Sequence, residues 1–152
     1  MSSSTLSRLK TQLDSLPEVL GSASPDALCE RPASGKWSAA ENLAHLDRHQ
    51  EIMLERIRKI LSEDAPRLDR YNADEDTDWP RYAALTPSQV LEQLRTNRQQ
   101  LIATVEKLSP EQMARVGLHT RMGPMPLSTW LEFFLVHEGH HLYMAFLRVH
   151  GA

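Results

Sequence analysis

The most regular feature of the chain is apolar spacing of three and four. Leu6, Leu9, Leu13, Leu16 and Leu20 open it, and that spacing is the period of a helix. Ser3 or Ser4 can cap the start, and Pro17 predicts a kink, because proline lacks the amide that an inner helical turn needs. Residues 22–36, rich in Ser, Pro and Gly, read as a loop with one turn around Asp26 to Cys29. Ser38-Ala39-Ala40-Glu41 has the form of a capping box. It predicts a second helix from Ala39 to Leu61, with Leu46, Met53, Ile57 and Ile60 on one face. Asn42, His45 and His49 extend that apolar face with polar residues.

Residues 63–82 form an acid-rich connection carrying Pro66 and Pro80. A linker of this length commonly covers a site. Thr86-Pro87-Ser88-Gln89 pairs a capping residue with Pro at the first helical position. It opens a third helix whose seam is Leu91, Leu94, Arg98, Leu101, Val105 and Leu108. Ser109-Pro110-Glu111-Gln112 starts a short extra turn, and residues 116–126 read as loop. The last helix is expected from Leu127 to Val149, with Trp130, Phe134, His137, His141, Met144 and Arg148 on one face and Gly151 at its end. Four long helices and no predicted strand make an all-α, up-down-type four-helix bundle with one long crossover, a single domain over residues 1–152.

Histidines on buried stripes give the pattern its chemistry. His137 and His141 lie one turn apart on one helix face, so two imidazoles can converge on one ion. A third ligand must come from another helix. His45, on the inward face near the start of the second helix, is the best placed. His49, one turn further on, shares its face and competes with it, and His140 points to a flank. Three neutral imidazoles leave a coordination position for water or substrate, the arrangement of a reactive site. The alternative is a set of hydrogen-bonded core histidines.

His137-Glu138-Gly139-His140-His141 also matches the H-E-x-x-H pattern of zinc peptidases. Those enzymes take a further ligand downstream, and His150 lies beyond the reach of the same ion. Glu138 is a candidate for proton transfer if it reaches the site; otherwise it is a solvated helix residue. Asp74, Glu75, Asp76 or Asp78 could bring a carboxylate to the metal, but such a run is ordinarily a solvated loop. Arg98 and Arg148 interrupt inward seams, where they would bind an anion or form salt bridges and snorkel. Trp37 and Trp130 read as core or pocket wall.

Charge and cysteine content narrow the classes. Seventeen basic against twenty acidic residues give a formal charge of −3, which argues against a general nucleic-acid binder. No apolar run approaches a membrane span, the N-terminus lacks a secretory apolar core, and the lone Cys29 has no internal partner. A cytoplasmic location is the expectation.

The segment Gly35-Lys36-Trp37-Ser38, with Glu41 and Leu43-Ala44-His45-Leu46, followed far downstream by Leu127 to Leu131 and His137-Glu138-Gly139-His140-His141, resembles the DinB-like (DinB/YfiT) four-helix-bundle superfamily. Trp79 and Tyr82 in the acidic crossover fit as well, and the likeness runs from about residue 5 to 149. It implies one metal ion, zinc or nickel, on His45, His137 and His141, and commonly a homodimer. It also implies, for some relatives, transfer of a low-molecular-weight thiol onto a small-molecule electrophile. Relatives often carry Gln three residues after the last ligand, where this chain has Met144.

Overall fold

The computed structural model describes residues 2–151. Helix α1 (Ser3–Thr11) passes through a 3-10 turn (Gln12–Ser15) into α2 (Leu16–Leu20). The expected kink is therefore a full change of helix type, placed just before Pro17, whose ring would clash with the carbonyl four residues back. A short α3 (Pro25–Cys29) leads to α4 (Ala39–Ser62), which starts on the predicted Ser38–Glu41 capping box. The connection from α4 to α6 (Pro87–Val105) contains β1 (Arg67–Leu68), a 3-10 turn (Ala73–Glu75) and α5 (Trp79–Ala83). Then come α7 (Pro110–Ala114), β2 (Val116–His119), β3 (Gly123–Pro126) and α8 (Leu127–His150).

Two expectations change. Residues 116–126 are a β-hairpin, and β1 joins it in parallel to make a three-stranded sheet in the order β1-β2-β3. Few β-branched residues and two prolines hid it. Gly117 lets β2 lie against α4: a Cβ there would sit 2.8 Å from Leu68 Cδ1 and 3.0 Å from Ile60. The third helix stops at Val105, so Leu108 packs from the following turn.

Helix α4 packs between α6 and α8, and the α1–α2 segment closes the ring against α8 and α6. The core falls into two apolar layers. One gathers Met53, Ile57, Leu101, Trp130 and Phe134; the other gathers Leu16, Leu43, Leu46, Leu94 and Leu142. Between them lies a polar layer. Arg98 Nη2 donates to Glu138 Oε2, its Nε to Gln50 Oε1 at 2.8 Å and its Nη1 to the Leu9 carbonyl at 2.9 Å. Gln12 Nε2 donates to Glu138 Oε1 at 2.9 Å, and Gln50 Nε2 to the Leu94 carbonyl at 2.8 Å. Every long segment of the bundle thus contributes to one hydrogen-bonded hub. A slip of any helix by one turn would leave buried charge unpaired.

The buried stripe of α8 is Leu131, Leu135, Glu138, Leu142 and Ala145. Trp130 and Phe134 of the predicted face join the core, while His137 and His141 are half-buried beside it. That offset turns the histidines out of the bundle core towards a cleft.

Candidate metal centre

Helices α4 and α8 face each other where His45 meets His137 and His141. One nitrogen from each of the three lies within 4.8 Å of the others. His45 Nε2 and His137 Nε2 are 3.3 Å apart. Two nitrogens bound tetrahedrally at zinc distances would stand about 3.3–3.4 Å apart, so the observed pair has the right spacing to share an ion.

Hydrogen bonding fixes the third ring. Asn42 Nδ2 donates to the Ser38 carbonyl at 2.7 Å, which orients its amide so that Oδ1 faces His141 Nδ1 at 2.8 Å. The proton of His141 therefore sits on Nδ1 and the lone pair on Nε2, the usual role of an outer partner to a metal-binding histidine. The Nδ1 atoms of His45 and His137 have no protein partner. Burial, reinforced by the neighbouring imidazoles, pushes His45 down to about 2 and His141 to about 3. Burial, with His140 and Arg56, takes His137 to about 4. All three are neutral near pH 7, the form that ligates. One shared proton can link two converging nitrogens but not three; a cation satisfies all three lone pairs. The donor set fits a divalent ion.

The triad lines a cleft of about 290 Å³. Trp37 stacks on Trp79 with ring centroids 5.0 Å apart and packs against His45 at 4.9 Å. Tyr71 also packs against His45, with ring centroids 5.4 Å apart, and lines the cleft. The crossover brings Trp79 and Tyr71 here because Arg48 on α4 clamps it, with Nε 2.8 Å from Asp76 Oδ2.

Other sequence candidates stand outside the converging group. His49 lines the same cleft and packs on His137 with centroids 4.1 Å apart, yet it is not one of the three. His140 is exposed on the flank of α8, 5.1 Å from the ring of His141. Glu138 is neither solvated nor beside the triad: it is fully buried in the polar hub with Arg98 and Gln12. The H-E-x-x-H pattern therefore supplies its two histidines to one face and its glutamate to another. Arg98 holds Glu138. Arg148 Nε donates to the Trp37 carbonyl at 2.9 Å and so braces a residue of the cleft wall. Of the acidic run only Asp74 lines the cleft, and it is exposed; Asp76 pairs with Arg48. Burial would raise the Asp76 carboxyl, but its hydrogen bonds from Arg48 and the Asp78 amide hold it below the usual range. Trp130 is core, Met144 is half-buried, and Cys29 is exposed.

Several cleft residues were not legible in the sequence, among them Tyr71, Arg70, Arg56 and His119. Arg56 sits eleven residues after His45, three turns along the same face of α4, and that spacing was the available signal. His119 arrives from β2, and nothing in a stretch read as loop pointed to it.

Fold and site together define a four-helix bundle with a histidine triad shared between two of its long helices. The chain belongs to the DinB superfamily, whose family profile matches residues 8–145. It is 26% identical over 146 residues to the uncharacterized protein YuaE of Bacillus subtilis, covering 88% of this chain and 89% of that one. The structure of YfiT from Bacillus subtilis, described as "a probable metal-dependent hydrolase with an unusual four-helix bundle topology", superposes with a TM-score of 0.78 at 19% identity, covering 97% of this chain and 89% of that one. The four-helix bundle protein TT2238 superposes with a TM-score of 0.66 at 25% identity, over 93% and 94% of the two chains. No helix among the described residues is long and apolar enough to cross a membrane.

Proposed function

We propose that this chain is a metal-dependent enzyme in which His45, His137 and His141 hold one divalent ion, zinc or nickel. Its reaction in this reading is transfer of a low-molecular-weight thiol onto a small electrophile. The observation that carries the proposal is the convergence of three neutral imidazole nitrogens at an open cleft, with no fourth protein ligand in the group. A bound divalent ion supplies Lewis acidity there, which lowers the pKa of a coordinated thiol or water.

The chain's own residues do the rest. Asn42 holds the His141 ring by its Nδ1 proton. Trp37, backed by Trp79, and Tyr71 wall the cleft and limit water. The thiol gives up its proton to solvent, its sulfur forms a bond to the electrophilic carbon, and the bond from that carbon to the leaving group breaks, the leaving group departing with the electron pair. This reading carries a cytoplasmic location with it, because that compartment keeps small thiols reduced. Exposed Val136, Tyr143 and Phe146 on the outer side of α8 supply an apolar face for a homodimer.

Hydrolysis is the second reading, favoured by the likeness to YfiT and by room in the cleft for water. A third is a metal-binding bundle without turnover. The test is metal analysis of the purified protein beside His45→Ala, followed by a panel of thiols with a chromogenic aryl halide and a panel of esters and amides without thiol. Stoichiometric metal lost in His45→Ala supports the triad, and metal-dependent thiol consumption supports transfer. Turnover of esters or amides alone selects hydrolysis. A metal-free protein under metal-replete conditions overturns the centre, and stoichiometric metal without turnover selects the binding protein.

A further inference from the structure

Arg56 is a buried cation without a carboxylate partner among the described residues. A guanidinium carries five N–H donors, and here its one hydrogen bond runs from Nη2 to the Asp69 carbonyl at 2.8 Å. Its Cζ lies over the Trp130 ring, 5.0 Å from the centroid. The side chain lines the same cleft as the histidine triad. Arg56 and His119 also pack on the same ring: the His119 ring lies 5.4 Å from the centroid of Trp130. Buried charges are ordinarily paired; this one faces a cavity.

His119 supplies an independent observation. Its Nδ1 accepts from the backbone amides of Arg121 and Met122, both at 3.1 Å. Two donors on one nitrogen force the ring proton of the neutral imidazole onto Nε2. His119 is therefore a fixed hydrogen-bond donor, not an acceptor, and it too lines the cleft. The backbone turn that fixes it is the tip of the β2–β3 hairpin, beyond the last residue of β2.

We propose, building on the reading of this cleft as a substrate site, that Arg56 and His119 form an anion subsite that receives the carboxylate of a small substrate beside the histidine triad. Arg56 supplies the charge and part of a planar fork, the geometry that suits a carboxylate. His119 supplies a neutral donor. One buried cation is balanced by a monoanion, whereas a dianion would leave excess buried charge. Arg70, exposed in the cleft lining, attracts the anion without fixing it, and the exposed Asp74 of the same lining favours a single negative charge over a larger one. The subsite makes the cleft selective for substrates with a carboxylate at one end and the reacting group at the other, near the histidines.

The test uses phenylacetate and its neutral isostere phenylacetamide, titrated into metal-free and zinc-loaded protein. Binding is followed by tryptophan fluorescence and by the Arg56 Nε–Hε resonance. Phenylacetate is expected to saturate both forms and shift that resonance, while phenylacetamide does neither. Arg56→Met should weaken phenylacetate at least about 10-fold, the loss expected for a hydrogen bond to a charged group. Arg56→Lys and His119→Gln should each weaken it about 3-fold or more, and Arg70→Gln less than about 2-fold. Unchanged affinity in folded Arg56→Met, or equal binding of the amide, overturns the subsite. Should Arg56→Met fail to fold by circular dichroism, unchanged affinity in both Arg56→Lys and His119→Gln overturns it. Phenylacetate binding seen only with zinc and lost in His45→Ala assigns the anion to the histidines and also overturns it. Arg56-dependent binding in a protein that takes up no metal upholds the subsite while refuting the metal centre.

Discussion

Replacing Glu138 with Gln removes one charge from the polar layer and changes little in shape. The carboxylate is fully buried, takes a charged hydrogen bond from Arg98, and accepts from Gln12. After Glu138→Gln, Arg98 keeps Gln50 Oε1 and the Leu9 carbonyl but loses its counter-ion. A guanidinium cannot shed its proton to escape, so the charge stays buried and unpaired. Breaking a buried pair from one side costs about 3–5 kcal/mol, a large share of the ~5–15 kcal/mol that holds a typical domain together. For a chain of this size that shift lowers Tm by roughly 6–20 °C. Arg98→Met should cost less, because the stranded Glu138 carboxyl, already pushed up by burial, can take a proton. The double variant Arg98→Met/Glu138→Leu removes both charges. It should be more stable than Glu138→Gln, since a buried pair gains little over apolar packing. Urea unfolding is measured for wild type and Glu138→Gln, and for Arg98→Met, Glu138→Leu and their double variant, which with wild type close the cycle. A Glu138→Gln cost below about 1 kcal/mol, or a double variant whose loss equals the sum of the singles, would refute the hub as a coupled unit.

The metal-free protein should lose stability as pH falls below about 6.5, the value of an unfolded histidine. The sign follows from burial: the fold holds His45, His137 and His141 neutral down to about 2, 4 and 3, while the unfolded chain takes up protons. These three contribute roughly 3 kcal/mol per pH unit after discounting for the partial exposure of His137 and His141; His49 and His119, which burial also lowers, steepen the slope in the same direction. Thermal melts from pH 7 to 5 measure it, and a flat profile refutes the burial of neutral rings. Asp47 acts in the opposite direction. Burial pushes its carboxyl up to about 6, with Glu51 also raising it against the Asn97 hydrogen bond, so its contribution is present below about pH 4 and lost as pH rises through 6. Asp47→Asn should remove that component from the same melts. Gly117→Val should destabilise by about 1–3 kcal/mol through overpacking, because even a Cβ meets Leu68 and Ile60; chemical denaturation gives the value. Sedimentation equilibrium of Val136→Glu should show a monomer if the outer face of α8 carries the proposed dimer.

Local sequence was enough for the four long segments, since each carries its own signal. The Ser38–Glu41 and Thr86–Gln89 boxes place the starts of α4 and α6 where the structure has them, and apolar spacing marks most of the faces. The pairing of His137 with His141 is equally local, because it needs only one turn of helix. His45 is different. Spacing left it in competition with His49, and only the packing of α4 on α8 puts one nitrogen near the pair and the other ring against its side. The hairpin at 116–126 gave no local cue, because its stability comes from β1 and from contact with α4 rather than from β-branched residues. Arg98, Glu138, Arg56 and His119 mark the limit most clearly. A charged residue on a helix reads alike whether it meets water, a counter-ion or an empty cleft. The helix period says which residues share a face, but a few degrees of helix rotation decide which face is core. That rotation put Glu138 inside with Arg98 and turned His137 and His141 out to the cleft, and it is set only when all four segments pack together.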